Sequence, residues 1–334
     1  MEKGDQMTKR RLKAGKLGSG GLGLTPLTEA EMNELHLASM EVMRSKGIFV
    51  ESKEARELYG DNGCIVDEKN RLVKIPEYLV MEAANSAPTN FKACGRLPEY
   101  DIMLEDTRIS FTNFGEGIEF VNPYTLEKKA SVKEDTCMTA KIVDYLDHVE
   151  TYERSLLSHD KAPPVQALHN AHASLTNTCK HHWLGPVNTY QLKKIHEMCS
   201  IIVGGDDILK ERPLLTYVTA PISPLKFSKD QCDILMEGAK LDHGVNVIGM
   251  AMPGASAPVH MAGSLVIYTV EQLGSLVLNQ LSKKGSYFVS GASMCMLDMR
   301  YGTASVGCPE AGILNCAVGQ IARRYGLPSF AAGG

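Results

Sequence analysis

The sequence predicts an α/β fold: a (β/α)8 barrel of the TIM type, incomplete within these 334 residues, with a helical subdomain before it. One observation is that, from about residue 106, short apolar segments alternate with amphipathic ones. Their starts recur about every thirty to forty residues, which is typical of parallel strands with helices outside the sheet. The other is that no phosphate-binding glycine turn follows the first of these strands, whereas such a turn would favour an open doubly wound sheet. The barrel is therefore the preferred arrangement.

Residues 1–24 are polar and rich in glycine, and they are predicted to form a flexible arm. They contain the pattern G-x-G-x-x-G at Gly18, Gly20 and Gly23. This pattern binds a pyrophosphate only where a buried strand precedes it and a helix follows it. The basic stretch from Lys9 to Lys16 precedes it here, so a nucleotide site is not expected.

Residues 25–105 are predicted to form the helical subdomain. Thr28 and Glu31 have the spacing of a capping box, which predicts a helix start. The apolar residues of that helix are Met32, Leu35, Leu37 and Met43. A second helix is predicted at residues 76–85, before Pro88.

Residues 106–334 are predicted to supply about seven strands of the barrel and the helices between them. The predicted strands are 109–114 with 118–121, 151–158, 182–187, 214–219, 245–252, 286–290 and 327–331. The predicted helices are 132–146, 164–178, 191–203, 229–241, 261–283 and 310–325. Ser131 with Glu134 and Ser228 with Gln231 are predicted to cap two of them. The helix at 261–283 is very apolar, but Glu271 interrupts it, so it is predicted to be buried in the protein and not to span a membrane.

Composition excludes several classes of function. A formal charge of −4 argues against nucleic acid as the main partner. The nine cysteines are scattered and contain no C-x-x-C pair, which indicates reduced thiols and neither a disulfide framework nor a structural zinc site. The N-terminus is polar and basic without an apolar stretch behind it, so no signal peptide is predicted. A cytoplasmic protein is expected.

In such a barrel the active site lies where the strands end. Glu116, between Gly115 and Gly117, follows the first predicted strand and is a candidate anionic group, although a hairpin turn with a solvated carboxylate fits it equally well. Asp298 and Arg300 follow the sixth strand as a substrate clamp or a structural ion pair.

Two other clusters are predicted to be structural. His169 and His172 share a helix face, but that helix is expected on the outside of the barrel, and a zinc site needs three or four converging ligands. The run Met294-Cys295-Met296 is expected to pack in the core.

Four segments together resemble the trimethylamine methyltransferase family. They are Leu297-Asp298-Met299-Arg300-Tyr301-Gly302, Gly307-Cys308-Pro309-Glu310, Gly326-Leu327-Pro328 and Ala332-Gly333-Gly334. The resemblance covers nearly the whole chain. It implies a (β/α)8 enzyme that transfers a methyl group from trimethylamine to the cobalt of a separate corrinoid protein. The cognate corrinoid protein would then be the partner, a small methylated amine the substrate, and no cofactor would be bound directly. A homo-oligomer is expected for the full-length form.

In the trimethylamine branch of this family, the residue after the Gly-Gly is pyrrolysine, encoded by an in-frame UAG codon. The resemblance therefore implies that these residues are the N-terminal portion of a longer polypeptide, inactive without the catalytic residue and the eighth strand. Gly333 and Gly334 would mount that residue, Asp298 and Glu116 would be anionic groups, and Arg300 and Tyr301 would contact substrate. The place of Glu116 follows from its position alone.

Three alternatives remain at this point. One is a pyrrolysine-independent methyltransferase acting on glycine betaine or another quaternary amine. Another is an inactive barrel fragment or a scaffold that binds a corrinoid protein. A lyase or aldolase is the third, but it would need a Schiff-base lysine at a strand end, and no predicted strand ends in lysine.

Overall fold

The computed structural model describes residues 16–17, 24–105 and 108–333. These residues form two compact units. The first unit contains residues 16–17, 90–105 and 108–218, and the second contains residues 24–89 and 219–333. The glycine pattern of the predicted arm lies outside the described residues.

Within the described ranges the chain forms the following regular elements. The helices are α1 Glu29–Ser45, α2 Lys53–Asp61, α3 Glu77–Ser86, α4 Lys133–Tyr145, α5 Pro163–Asn177, α6 Thr189–Val203, α7 Asp206–Glu211, α8 Lys229–Lys240, α9 Met261–Ser282 and α10 Pro309–Arg324. The strands are β1 Lys16–Leu17, β2 Ile48–Val50, β3 Ile65–Asp67, β4 Leu72–Lys74, β5 Asn90–Ala93, β6 Ile102–Glu105, β7 Arg108–Ile109, β8 Glu119–Val121, β9 Lys128–Ala130, β10 Thr151–Glu153, β11 His181–Leu184, β12 Leu215–Thr219, β13 Lys226–Phe227, β14 Gly244–Gly249, β15 Phe288–Ala292, β16 Met296–Asp298, β17 Thr303–Ser305 and β18 Ser329–Ala331.

The first unit is built on the parallel strands β10, β11 and β12. Tyr152 is paired in register with His182, and its ring packs against Ala140 and Val143 of α4. Because side chains alternate between the two faces of a strand, Glu153 and Trp183 lie on the face opposite to Tyr152 and His182. Glu153 and Trp183 are themselves paired in register, so the two side chains are neighbours on that face.

The second unit is built on the parallel strands β14, β15 and β18, with α9 packed against them. Val247 is paired with Ser290, and Ser290 with Ser329. The hydroxyl groups of Tyr268 on α9 and of Ser290 share a hydrogen bond of 2.8 Å. The Gln272 amide donates to the Val247 carbonyl at 2.9 Å. Helix and strands therefore share a core that includes polar side chains.

Helix α9 is the one described helix that is long and apolar enough to cross a membrane, and 72% of its most apolar window is buried. Tyr59 on α2 donates to its Gly274 carbonyl at 2.8 Å, and the side chain of Ile48 occupies the space left by the missing side chain of Gly274. These contacts agree with the prediction of a core helix.

The first predicted strand is not regular. Thr112 and Gly117 each form a single parallel bridge, with Thr151 and Leu156 respectively, so residues 112–117 run beside β10 without a continuous ladder. The physical reason lies in the residues between them, since Gly115 and Glu116 do not hold an extended strand and Glu116 has a φ of 60°. The predicted continuation at 118–121 is instead β8, one arm of an antiparallel hairpin with β9.

Of the three predicted helix starts, two are confirmed. Thr28 and Glu31 form the capping box of α1, and Ser228 caps α8. The third is wrong by one residue. Helix α4 begins at Lys133, and its start is closed by Asp135, whose carboxylate accepts from the Val132 N–H at 2.9 Å.

The apolar face predicted for α1 holds with one exception. Met32, Leu35 and Met43 are buried, whereas Leu37 is 63% exposed. The predicted helices of residues 25–105 are present, joined by the short strands β2, β3 and β4, with the antiparallel pair β5 and β6 after α3. The α/β class is therefore confirmed, and the closed eight-stranded barrel stays a prediction.

Candidate active site

Two carboxylates and an arginine meet at the C-terminal end of β10. Glu153 is the last residue of the strand, Arg154 follows it, and Glu116 lies beside them in the irregular segment. Arg154 forms an ion pair with Glu116 through Nη2, and its Nη1 donates to the carbonyl of Gly185 at 2.8 Å, just after β11. The Arg154 side chain is 10% exposed and that of Glu116 is 58% exposed, so a buried guanidinium is paired with a carboxylate that is in contact with solvent.

Backbone and amide contacts fix this arrangement. The Asn113 side chain takes the place of a strand neighbour: its Nδ2 donates to the Glu153 carbonyl at 2.8 Å and its Oδ1 accepts from the Glu153 N–H at 3.0 Å. The Glu116 N–H donates to the Arg154 carbonyl at 2.7 Å. These bonds hold the backbone of residues 113–116 against that of residues 153–154.

Gly115 is needed for the position of the Glu153 carboxyl. A Cβ at residue 115 would lie 2.5 Å from both Cδ and Oε1 of Glu153, so the Glu153 side chain would have to move to make room for it. Glu116 next to it has a φ of 60°, a left-handed conformation that residues other than glycine seldom adopt. Backbone strain of this kind is concentrated at functional sites.

The environment raises the pKa of Glu153 from 4.5 to about 7. Burial is the main cause, the nearby Glu116 carboxylate adds to it, and the Arg154 guanidinium acts in the opposite direction. Near neutral pH the Glu153 carboxyl is therefore present in both protonation states. A carboxyl of this kind can accept or release a proton, or can act as a counterion once it is ionised.

In the second unit, Asp298, Arg300 and Tyr301 lie in one tight turn between β16 and β17. Asp298 Oδ1 accepts from the backbone N–H groups of Arg300 at 2.9 Å and of Tyr301 at 3.2 Å. The hydrogen bond between Asp298 and Arg300 therefore involves the backbone of Arg300 and shapes the turn. Tyr301 is 72% exposed, and its role as an aromatic wall stays a prediction.

Gly333 lies two residues after the end of β18. The preceding Ala332 N–H donates to the Ala292 carbonyl at 3.0 Å, which continues the pairing with β15 beyond the last residue of the strand. Apart from its own residue and its two chain neighbours, no described atom lies within 4 Å of the Cβ position of Gly333. Gly334 lies outside the described residues, and the role of both glycines as a mount stays a prediction.

A second carboxyl with a raised pKa, that of Glu271, is buried within α9. Burial raises its pKa to about 7, and its oxygens accept from the Ser223 hydroxyl at 2.9 Å and from the Leu225 N–H at 2.8 Å. Both partners belong to the loop after β12. Glu271 therefore anchors that loop to the helix.

The histidine pair on α5 faces a lysine. Nζ of Lys133 lies 3.3 Å from Nδ1 of His169 and 3.4 Å from Nδ1 of His172. Among the residues that the structure describes, no group of three or more His, Cys, Asp and Glu side chains could hold a metal ion.

Glu153 and Arg154 are the residues that sequence reasoning missed. The strand was predicted to run through to Ser158, which placed Ser158, His159 and Asp160 at its end. In the structure Ser158 instead donates a hydrogen bond to the Asn170 side chain. The adjacent charged residues Glu153 and Arg154, within an otherwise largely apolar segment, were the available indication that the strand ends earlier.

The fold and the site together define an α/β protein with acidic groups at the carboxyl end of parallel strands. The family model described as "Trimethylamine methyltransferase (MTTB)" matches residues 5–334. The chain belongs to the trimethylamine methyltransferase family, as its sequence motifs predicted.

Individual relatives agree with this assignment. The chain is 37% identical over 323 residues to trimethylamine methyltransferase MttB of Desulfitobacterium hafniense (strain DSM 10664 / DCB-2), a match that covers 97% of this chain and 65% of the relative. It is 36% identical over 334 residues to trimethylamine methyltransferase MttB of Methanosarcina thermophila, covering 98% of this chain and 69% of the relative. The chain thus spans about two thirds of the length of these curated relatives.

A solved structure supports the fold. The crystal structure of the Methanosarcina barkeri monomethylamine methyltransferase (MtmB) superposes with a TM-score of 0.54 at 12% identity, covering 97% of this chain and 70% of that one. A more distant relative, the glycine betaine methyltransferase of Desulfitobacterium hafniense (strain Y51), is 26% identical over 309 residues, covering 92% of this chain and 64% of the relative.

Proposed function

We propose that the protein transfers a methyl group from trimethylamine to the cobalt of a cognate corrinoid protein. The observation that carries this proposal is the family match across residues 5–334, with relatives named trimethylamine methyltransferase at 37% and 36% identity. The glycine betaine relative, at 26% identity, gives the alternative substrate weaker support.

The reaction defines what the site has to do. Cobalt(I) supplies an electron pair to the methyl carbon, the carbon–nitrogen bond breaks, and its electrons stay on nitrogen. Nitrogen leaves as a neutral amine only if it entered the step as a cation, so the site must hold a cationic nitrogen and keep water away from it. Carboxylates aimed at the place where charge is held or develops are the usual means. Glu153 and Glu116 supply such groups at the end of β10, and Asp298 is a further candidate.

The proposal extends to partners and location. The corrinoid is carried by the partner protein and enters as the methyl acceptor, so this chain needs no tightly bound cofactor of its own. The other ligand is a small methylated amine. We place the protein in the cytoplasm, as a homo-oligomer in its full-length form, with neither nucleic acid nor membrane as a partner.

The test uses the protein purified from its native source, because the chain spans about two thirds of its relatives. It is mixed with the cognate corrinoid protein reduced to cobalt(I), and the visible spectrum is followed after addition of trimethylamine, dimethylamine, monomethylamine or glycine betaine. Conversion to methylcobalt(III) with trimethylamine, and little with the others, is expected. Conversion with glycine betaine and none with trimethylamine would overturn the proposal.

A further inference from the structure

Glu153 has a neighbour that suits a cation. Trp183, the only tryptophan in these residues, is paired in register with Glu153 on the adjacent strand, and both side chains lie on the same face. Trp183 is 3% exposed, and its ring makes an edge contact with His181, with 5.7 Å between the ring centroids. A carboxyl group and an indole are therefore fixed side by side on rigid strands.

The two carboxylates of the site differ in what already binds them. Glu116 is engaged by the Arg154 guanidinium. Among the described residues, by contrast, no hydrogen-bond donor contacts the carboxylate of Glu153. An acidic group taken partly out of water without a donor is costly to ionise unless a ligand supplies the opposite charge.

The chemistry of the missing partner follows from this pair. Aliphatic amines are protonated at neutral pH, like the lysine side chain with its pKa of about 10.4. A methylated ammonium ion is positive, apolar at its surface and a poor or absent hydrogen-bond donor. Such cations are bound by aromatic faces, preferentially of tryptophan, together with a carboxylate counterion.

We propose that Glu153 and Trp183 form the subsite that binds the cationic nitrogen of the methylated amine. Glu116 does not take this role because its carboxylate is already paired with Arg154. The inference rests on the proposed function for the identity of the amine. It assigns the substrate charge to a residue different from the two, Glu116 and Asp298, that sequence motifs and position indicated.

The test measures the binding of tetramethylammonium, a cation that can neither donate a proton nor react like an amine, with tert-butanol as the neutral compound of similar shape. Calorimetry gives the Kd, and quenching of tryptophan emission reports contact with the indole, with Trp183→Phe identifying its share of the signal. Glu153→Gln removes the charge, Glu153→Asp retains it, and Glu119→Gln is the control because Glu119 is an exposed carboxylate on β8 of the same unit.

The expected result is a Kd raised about tenfold or more in Glu153→Gln and in Trp183→Phe, since desolvated cation–π contacts and ion pairs each contribute on that scale. Glu153→Asp should recover part of the affinity, Glu119→Gln should be unchanged, and tert-butanol should bind neither form measurably. Unchanged tetramethylammonium binding in a folded Glu153→Gln protein would overturn the inference. That outcome is distinct from failure of the proposed function, which would appear as absent methyl transfer while cation binding still depends on Glu153.

Discussion

Replacing Glu153 by glutamine should stabilise the protein, and by an amount that depends on pH. In the unfolded chain this carboxyl has its ordinary pKa of 4.5, whereas in the folded protein burial and Glu116 raise the pKa to about 7. Between these pH values the folded state binds more protons than the unfolded state. The free energy of unfolding of the wild type therefore falls as pH rises through this window, and it becomes flat above it.

The size of the effect follows from the same two values. A tenfold change in proton affinity corresponds to about 1.4 kcal/mol, so the difference between 4.5 and about 7 corresponds to about 3 kcal/mol. Residual contact of the carboxyl with solvent makes this an upper bound. Glutamine does not titrate, so the advantage of Glu153→Gln should be small near pH 4.5 and should approach its full size above pH 7.

Urea unfolding of wild type and variant at pH 5, 6, 7 and 8, at constant ionic strength, gives the difference in the free energy of unfolding. The difference between the two proteins is the quantity to use, because the pKa of Glu271 is also about 7 and adds a similar slope to both. Glu119→Gln, on the exposed hairpin, is the control and should show no such trend. If the advantage of Glu153→Gln were the same at pH 5 and pH 8, the argument that burial raises this pKa would be refuted.

Three further predictions follow from packing and turn geometry. Gly115→Ala brings a methyl group within 2.5 Å of the Glu153 carboxyl, so the carboxyl must move, and the rate of methyl transfer should fall about a hundredfold in the corrinoid assay. Gly291→Ala places a Cβ 2.9 Å from a backbone oxygen of the neighbouring strand and in steric conflict with Asn246 Oδ1, so urea unfolding should show a loss of about 1–3 kcal/mol. Asp298→Asn keeps the oxygen that closes its turn, so the rate should stay within about twofold of wild type, whereas a drop of about a hundredfold would indicate that the charge itself acts in the reaction.

One control serves both glycine substitutions. Gly312 lies on α10, and no described atom outside its own helix turn lies within 4 Å of its Cβ position. Gly312→Ala should leave the rate unchanged and should stabilise the helix by about 0.5–1 kcal/mol. If Gly312→Ala lowered the rate as much as Gly115→Ala does, or the free energy of unfolding as much as Gly291→Ala does, the effects would come from the backbone and not from the contacts named.

The regular part of the fold was open to prediction because its pattern is local. Helices α5, α6, α8, α9 and α10 begin and end within two residues of the positions that the apolar periodicity predicted. Strands β10, β11, β12, β14, β15 and β18 lie within or overlap the predicted apolar segments, whereas the two-residue strand β13, which pairs with β2, was not predicted. Each of these elements buries one face and therefore carries its period in the sequence.

The site was harder to predict because its geometry is irregular. Glu116 was found from its flanking glycines, but its pairing with Arg154 depends on how far residues 112–117 slide along β10, which no periodicity records. Glu153 was missed because the strand was expected to continue to Ser158. In the structure the strand pairing stops at Glu153, and the sequence alone does not show where that pairing ends. Glu116 and Glu153 are 37 positions apart in the sequence, so the effect of the Glu116 charge on the pKa of Glu153 arises only after the chain has folded.

The left-handed backbone of Glu116 has a consequence for anyone who engineers this protein. Methods that raise thermal stability routinely place glycine wherever φ is positive, and Glu116→Gly would relieve strain of about 1 kcal/mol or more. The same change releases Arg154 from its counterion and leaves a buried cation beside Glu153. The relief of strain and the loss of the counterion therefore act on stability in opposite directions, and a library at residue 116 should be screened for turnover as well as for melting temperature.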